Sequence, residues 1–176
     1  MQTIRFILQV TILLISPFQL VKAENVIISE IMADNESIIQ DGHGNYSDWI
    51  EIKNPNPINF NLTGYFLTDD QSNLRKWIFP DQTIIGPNGY LIIFATGQEE
   101  PNHTDPQGNP HTNFSLKSEG EYLALIGPDG EEAIQQFSTH YPPIPKDISY
   151  NKSGYFLEPS PGGPNKGEPV QGFVKD

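Results

Sequence analysis

The sequence has no cysteine among its 176 residues. That excludes disulfide staples, thiol nucleophiles, zinc–thiolate centres and a lipid-modified N-terminal cysteine. A domain of this size buries roughly 68–70% of its unfolded surface, so such staples are optional. Bases are scarce as well. Ten Lys and Arg stand against 22 Asp and Glu, a formal charge of −12. This balance opposes a sequence-independent grip on phosphates, which needs clustered cations, and no nucleic-acid partner is expected. It favours solubility and contact with divalent cations. The usual signatures of catalysis are missing too: there is no Gly-x-Ser-x-Gly elbow, Walker loop or His-Glu-x-x-His pair.

The N-terminus reads as a targeting segment. Arg5 precedes a run from Phe6 to Leu20 that is interrupted by Gln9, Thr11, Ser16 and Gln19. The run is too short and too polar for the ~20 apolar residues a bilayer requires. Val21 and Ala23 suit cleavage before Glu24, so residues 1–23 are expected to be a cleaved signal peptide. The chain is then expected outside the cell or in the envelope, with no membrane span. Without Arg5 and Lys22, eight bases face 22 acids.

From Glu24 onward there is no sustained helical period. Short β-rich runs alternate with turn clusters. Val26 to Met32, Trp49 to Lys53, Tyr65 to Thr68, Lys76 to Phe79, Thr83 to Ile85 and Tyr90 to Thr96 read as strands. Tyr122 to Ile126, Ala133 to Phe137 and Ile148 to Tyr150 complete the set. In the second run Ile50 and Ile52 share one face, and Glu51 and Lys53 the other. The run from Tyr90 is apolar enough to expect burial on both faces. Pro128-Asp129-Gly130 is a hairpin turn between two of these strands, and Pro87-Asn88-Gly89 turns the chain into another. So many short strands at this spacing predict an all-β sandwich or barrel. Gln98 to Asn113 reads as a long loop. After Pro159 the texture changes to Pro and Gly. The expected division is residues 24–158 for the sandwich and 159–176 for a tail or a linker to a following domain.

Eight segments together resemble the lamin tail domain family in its secreted, prokaryotic form. They are IISEIMADN (Ile27–Asn35), DWIEIKNP (Asp48–Pro55), NLTGYFLTDD (Asn61–Asp70), KWIFP (Lys76–Pro80), GYLIIFATG (Gly89–Gly97), HTNFSL (His111–Leu116), GEYLALIGPDG (Gly120–Gly130) and PSPGGPN (Pro159–Asn165). The resemblance implies an immunoglobulin-like β-sandwich. It also implies a non-catalytic accessory or targeting module of exported proteins, docking an unidentified protein or cell-surface component. Trp49, Ile50, Ile52, Trp77, Phe79, Phe94, Phe114 and Leu125 are expected in the core, each side chain contributing about 1.5–3 kcal/mol when fully buried.

Three alternatives come from the residues themselves. Asp41, Asn45 and Asp48 place side-chain oxygens at intervals in a glycine-bearing loop, a pattern calcium can use, although no Glu closes it as in an EF-hand. A calcium-stabilised carbohydrate-binding or adhesion module would present Tyr46, Tyr65, Tyr141, Tyr150 and Tyr155 as a platform for sugar. A small hydrolase would need two carboxylates facing each other across a cleft. His103 and His111 flank a Pro- and Gly-bearing loop, a poor frame for rigid zinc ligands. Asn35, Asn45, Asn61, Asn102, Asn113 and Asn151 each begin an Asn-x-Ser/Thr sequon.

Overall fold

Residues 24–100 and 103–173 are described by a computed structural model. The expected signal peptide, residues 1–23, lies outside them, as does Asn102. Among the described residues eleven strands form and no helix. They are β1 (Ile27–Met32), β2 (Trp49–Lys53), β3 (Phe60–Asn61), β4 (Phe66–Thr68), β5 (Trp77–Ile78), β6 (Ile84–Ile85), β7 (Tyr90–Phe94), β8 (Leu123–Ile126), β9 (Ala133–Phe137), β10 (Ser149–Asn151) and β11 (Gly154–Phe156). All strand pairs are antiparallel. One sheet runs β11-β10-β1-β2-β7, a second β5-β4-β8-β9, and β3 pairs with β6. This is an immunoglobulin-like sandwich.

Alternation along the strands builds the core. Ile50 and Ile52 point from β2 into the main cluster, with Ile28 and Ile31 of β1, Leu67, Trp77, Phe79, Ile93, Phe114, Leu123 and Leu125. Trp49 is wholly buried too, but on the opposite face of the same sheet, where Met32 and Phe94 meet it and Ile38 and Ile39 close over them. The run from Tyr90 is less buried than its composition suggests. Tyr90, Leu91 and Ile92 are half-buried, and only Ile93, Phe94 and Ala95 are enclosed, because β7 is an edge strand. Strands β3 and β11 were not anticipated. The first has only two residues, and the second begins at Gly154, whose backbone adopts a positive φ.

Open sheet edges invite unwanted pairing, and both edges of the five-stranded sheet are covered. The loop Pro110–Thr112 lies along β7, with Phe94 N donating to Pro110 O and Thr112 N to Phe94 O. Val170 exchanges both backbone hydrogen bonds with Tyr155 beside β11. The amide side chain of Gln135 on β9 bonds the backbone of β1: it accepts from Ile28 N at 2.9 Å and donates to Ile28 O at 3.1 Å, joining the two sheets. Residues 160–170 therefore lie back against the sandwich. The tail expected as a possible linker carries structural contacts over this stretch.

Candidate functional site

The acidic loop Asp41–Asp48 is organised by its own backbone. Asp41 Oδ1 accepts from His43 N at 2.9 Å and Asn45 N at 3.0 Å, and its Oδ2 from Ser47 Oγ at 2.8 Å. Burial alone would raise the Asp41 carboxyl, but these donors outweigh it and hold it below the usual range. Asn45 points its side chain outward on an exposed stretch, while Asp48 Oδ1 accepts from Asn35 N at 3.1 Å. Burial drives the Asp48 carboxyl up to about 6, partly offset by that bond and reinforced by Asp34. Of the three residues expected as calcium ligands, Asp41 thus holds the turn, Asn45 faces solvent and Asp48 caps the Asn35 amide. Calcium needs six to eight oxygens, and Asp41 has both of its own engaged within the loop.

Two carboxylates lie hidden on the second face of the five-stranded sheet. Glu51 lies on the face opposite Ile50, as its position requires, yet it is fully buried, and so is its cross-strand partner Glu30. A register shift between Ile28 and Glu30 lets Ser29 Oγ reach Glu51 Oε1 at 2.5 Å. The tail seals the site. Gly162 N donates to Glu51 Oε2 at 2.6 Å, and Ser160 donates to Glu30 through its N at 3.1 Å and its Oγ at 3.2 Å. Ser149 Oγ completes the Glu30 shell. Desolvation raises both carboxyls against these hydrogen bonds, Glu51 to about 7, with Glu30 adding to its shift. The signal for this site was present in the sequence, as Glu30 and Glu51 in facing strands together with PSPGGPN. A polar residue at alternate positions nevertheless reads as solvent-facing unless a later segment is known to cover it.

Three histidines also converge. His43 comes from the Asp41–Asp48 loop, His103 and His111 from the later one. Ring centroids are 5.0 Å apart for His103 and His111, 5.9 Å for His43 and His103, and 6.0 Å for His43 and His111. The loops are tied by Gly42 N, which donates to Asp105 Oδ2 at 2.6 Å. A Cβ at Gly42 would sit 2.6 Å from Asp105 Cγ, so only glycine allows the approach. Asp105 also accepts from Gln107 N, Asn109 N and Asn109 Nδ2. Burial would raise the Asp105 carboxyl, but these bonds hold it well below the usual range. His111 is 1% exposed; burial lowers its ring against the opposing pull of Asp105. Its Nδ1 lies 2.9 Å from Thr96 Oγ1, while the buried Nε2 atoms of both His111 and His103 have no hydrogen-bond partner. An unpaired buried polar atom of this kind costs about 1–3 kcal/mol.

The Lamin Tail Domain family model matches residues 21–140, more than half of the chain. The chain belongs to the lamin tail domain family. That family is a non-enzymatic, immunoglobulin-like domain. No curated protein matches the chain.

In this lamin tail domain the tyrosines do not make a platform. Tyr141 and Tyr155 are buried, Tyr65 and Tyr150 half-buried, and Tyr46 alone of the five is exposed. The Tyr150 and Tyr155 rings are tilted 59° to each other. Among the sequons, Asn35 is buried and donates to Ile39 O and Ser47 O, which leaves it no room for a glycan in the folded domain. A shallow groove of about 440 Å³ passes over Ser29, Lys53, Gln135 and Asn151, and no Asp, Glu or His lines it.

Proposed function

We propose that this lamin tail domain is an exported, non-catalytic docking module that meets an extracellular protein or envelope component along the open side of its four-stranded sheet. One observation carries the reading. In the five-stranded sheet both edges, β7 and β11, are covered, whereas β5 is an outer edge of the four-stranded sheet to which no further segment pairs among the described residues. It carries Ile78, 45% exposed, on a strand that can accept another by backbone pairing. An apolar side chain on an unpaired strand is an aggregation hazard unless something covers it.

The non-catalytic part rests on the carboxylates. Glu30 and Glu51 face each other as a hydrolase pair would, but the tail occupies the space a substrate would need, and Ser and backbone donors fill their oxygens. Export rests on the N-terminal segment and is tested by mass spectrometry of secreted protein, which should begin at Glu24. The docking surface is tested with a photo-crosslinking side chain at position 78 and a control at Leu157, 57% exposed elsewhere. Exposed to the extracellular fraction of the source cells, the first should give a discrete adduct that unlabelled domain competes away. An adduct at position 157 and none at 78 would reject β5 as the surface.

A further inference from the structure

We infer that His43, His103 and His111 are ligands of a single divalent transition-metal ion of the zinc class, held against the carboxylate of Asp105. Zinc–nitrogen bonds of about 2.0–2.1 Å at tetrahedral angles put ligand ring centroids about 5 Å apart and ligand atoms about 3.3 Å apart. The three rings stand 5.0–6.0 Å apart. His111 Nε2 and Asp105 Oδ2 are 3.5 Å apart, too long for a good hydrogen bond; Asp105, whose oxygens already accept from Gly42, Gln107 and Asn109, lies beside the rings as a negative charge and not as a ligand.

The orphaned nitrogens point the same way. His103 Nε2 and His111 Nε2 are both buried and unpaired. Their other nitrogens face the partners that orient metal-bound imidazoles: Thr96 Oγ1 at 2.9 Å from His111 Nδ1, and Glu100 Oε2 at 3.6 Å from His103 Nδ1. The frame is firm on one side. His111 N donates to His103 O at 3.0 Å, and His111 bridges to Phe94 at the edge of the sheet. As the rings stand, no group of three or more His, Cys, Asp or Glu among the described residues is placed to hold a metal ion. His43 is exposed on its loop and half-buried His103 lies beside it, and binding requires these two rings to turn toward His111. An imidazole-rich set selects zinc, copper or nickel over calcium and magnesium, which prefer oxygen.

The test uses the purified chain, stripped with a chelator and titrated at pH 7.5 with zinc by calorimetry and with cobalt by visible absorption. One equivalent should bind, and cobalt should give the intense d–d bands of a tetrahedral site. His43→Gln and His103→Gln should each weaken zinc at least tenfold, while His140→Gln, outside the cluster and exposed, should leave it unchanged. His111 is buried and its variant can fail to fold, so the two other substitutions carry the test. Absence of saturable zinc binding would overturn the site. So would binding that survives the His43→Gln, His103→Gln double variant, or an octahedral cobalt spectrum.

Discussion

Replacing Glu51 with Gln should stabilise the domain at alkaline pH, although it removes a residue held by two short hydrogen bonds. Burial raises the Glu51 carboxyl from 4.5 to about 7. A carboxyl raised in the folded state binds its proton more tightly there than in the unfolded chain. Its contribution is complete below pH 4.5 and is lost as pH rises through about 7. A shift of this size corresponds to about 3 kcal/mol of ionisation cost by pH 8. Gln mimics the neutral acid and avoids that cost. Against this stands the weakened bond from Gly162 N, about 1 kcal/mol. The expected net gain at pH 8 is about 2 kcal/mol, or roughly 4–8 °C in Tm, shrinking to a small deficit near pH 4.5. The charge of Glu30 adds to the rise of Glu51, so the wild-type slope belongs to the pair. Urea midpoints of both proteins from pH 4.5 to 8.5 provide the assay. An Glu51→Gln variant with the wild-type slope, or one less stable than wild type at pH 8, would refute the reasoning.

Other perturbations probe the rest of the structure. Ending the chain at Glu158 removes Ser160 and Gly162 from the two carboxylates and Val170 from β11; a loss of about 2–4 kcal/mol is expected by chemical denaturation. Gln135→Ala leaves Ile28 N and O without their partner and should cost about 1–3 kcal/mol in the same assay. Gly42→Ala drives a methyl group into Asp105 and should cost about 1–3 kcal/mol, with faster proteolysis of the two loops it joins. Adding millimolar calcium to the chelator-stripped, dialysed chain should move Tm by less than about 1 °C, because the Asp41 oxygens are already engaged.

Periodicity and turn chemistry carry most of the strand pattern. Trp49 to Lys53 and Ala133 to Phe137 coincide with β2 and β9 residue for residue. Alternation also assigns Ile50 and Ile52 to the face opposite Glu51. What it does not reveal is what lies over that second face. Trp49 is buried there by Ile38 and Ile39, and Glu51 by Gly162, contacts across about ten and 111 residues of chain. A local pattern cannot report a partner so distant. The histidines illustrate the same limit. His103 and His111 look poorly framed while only their own loop is considered, and His43 joins them through the Gly42–Asp105 bond, 63 residues apart in sequence. The acidic loop errs the other way. Asp and Asn at close intervals are equally good as turn formers and as oxygen ligands, and here two backbone amides and the Ser47 hydroxyl take the Asp41 oxygens.

Docking at β5 is tested most directly by amide NMR spectra of the isotope-labelled chain, recorded alone and in the concentrated extracellular fraction of its source cells. The account predicts that the Ile78 resonance and its β5 neighbour shift or broaden in the mixture, while those of β1 and β2 in the covered sheet stay in place. Unchanged spectra throughout, or changes confined to the tail around Leu157, would contradict it.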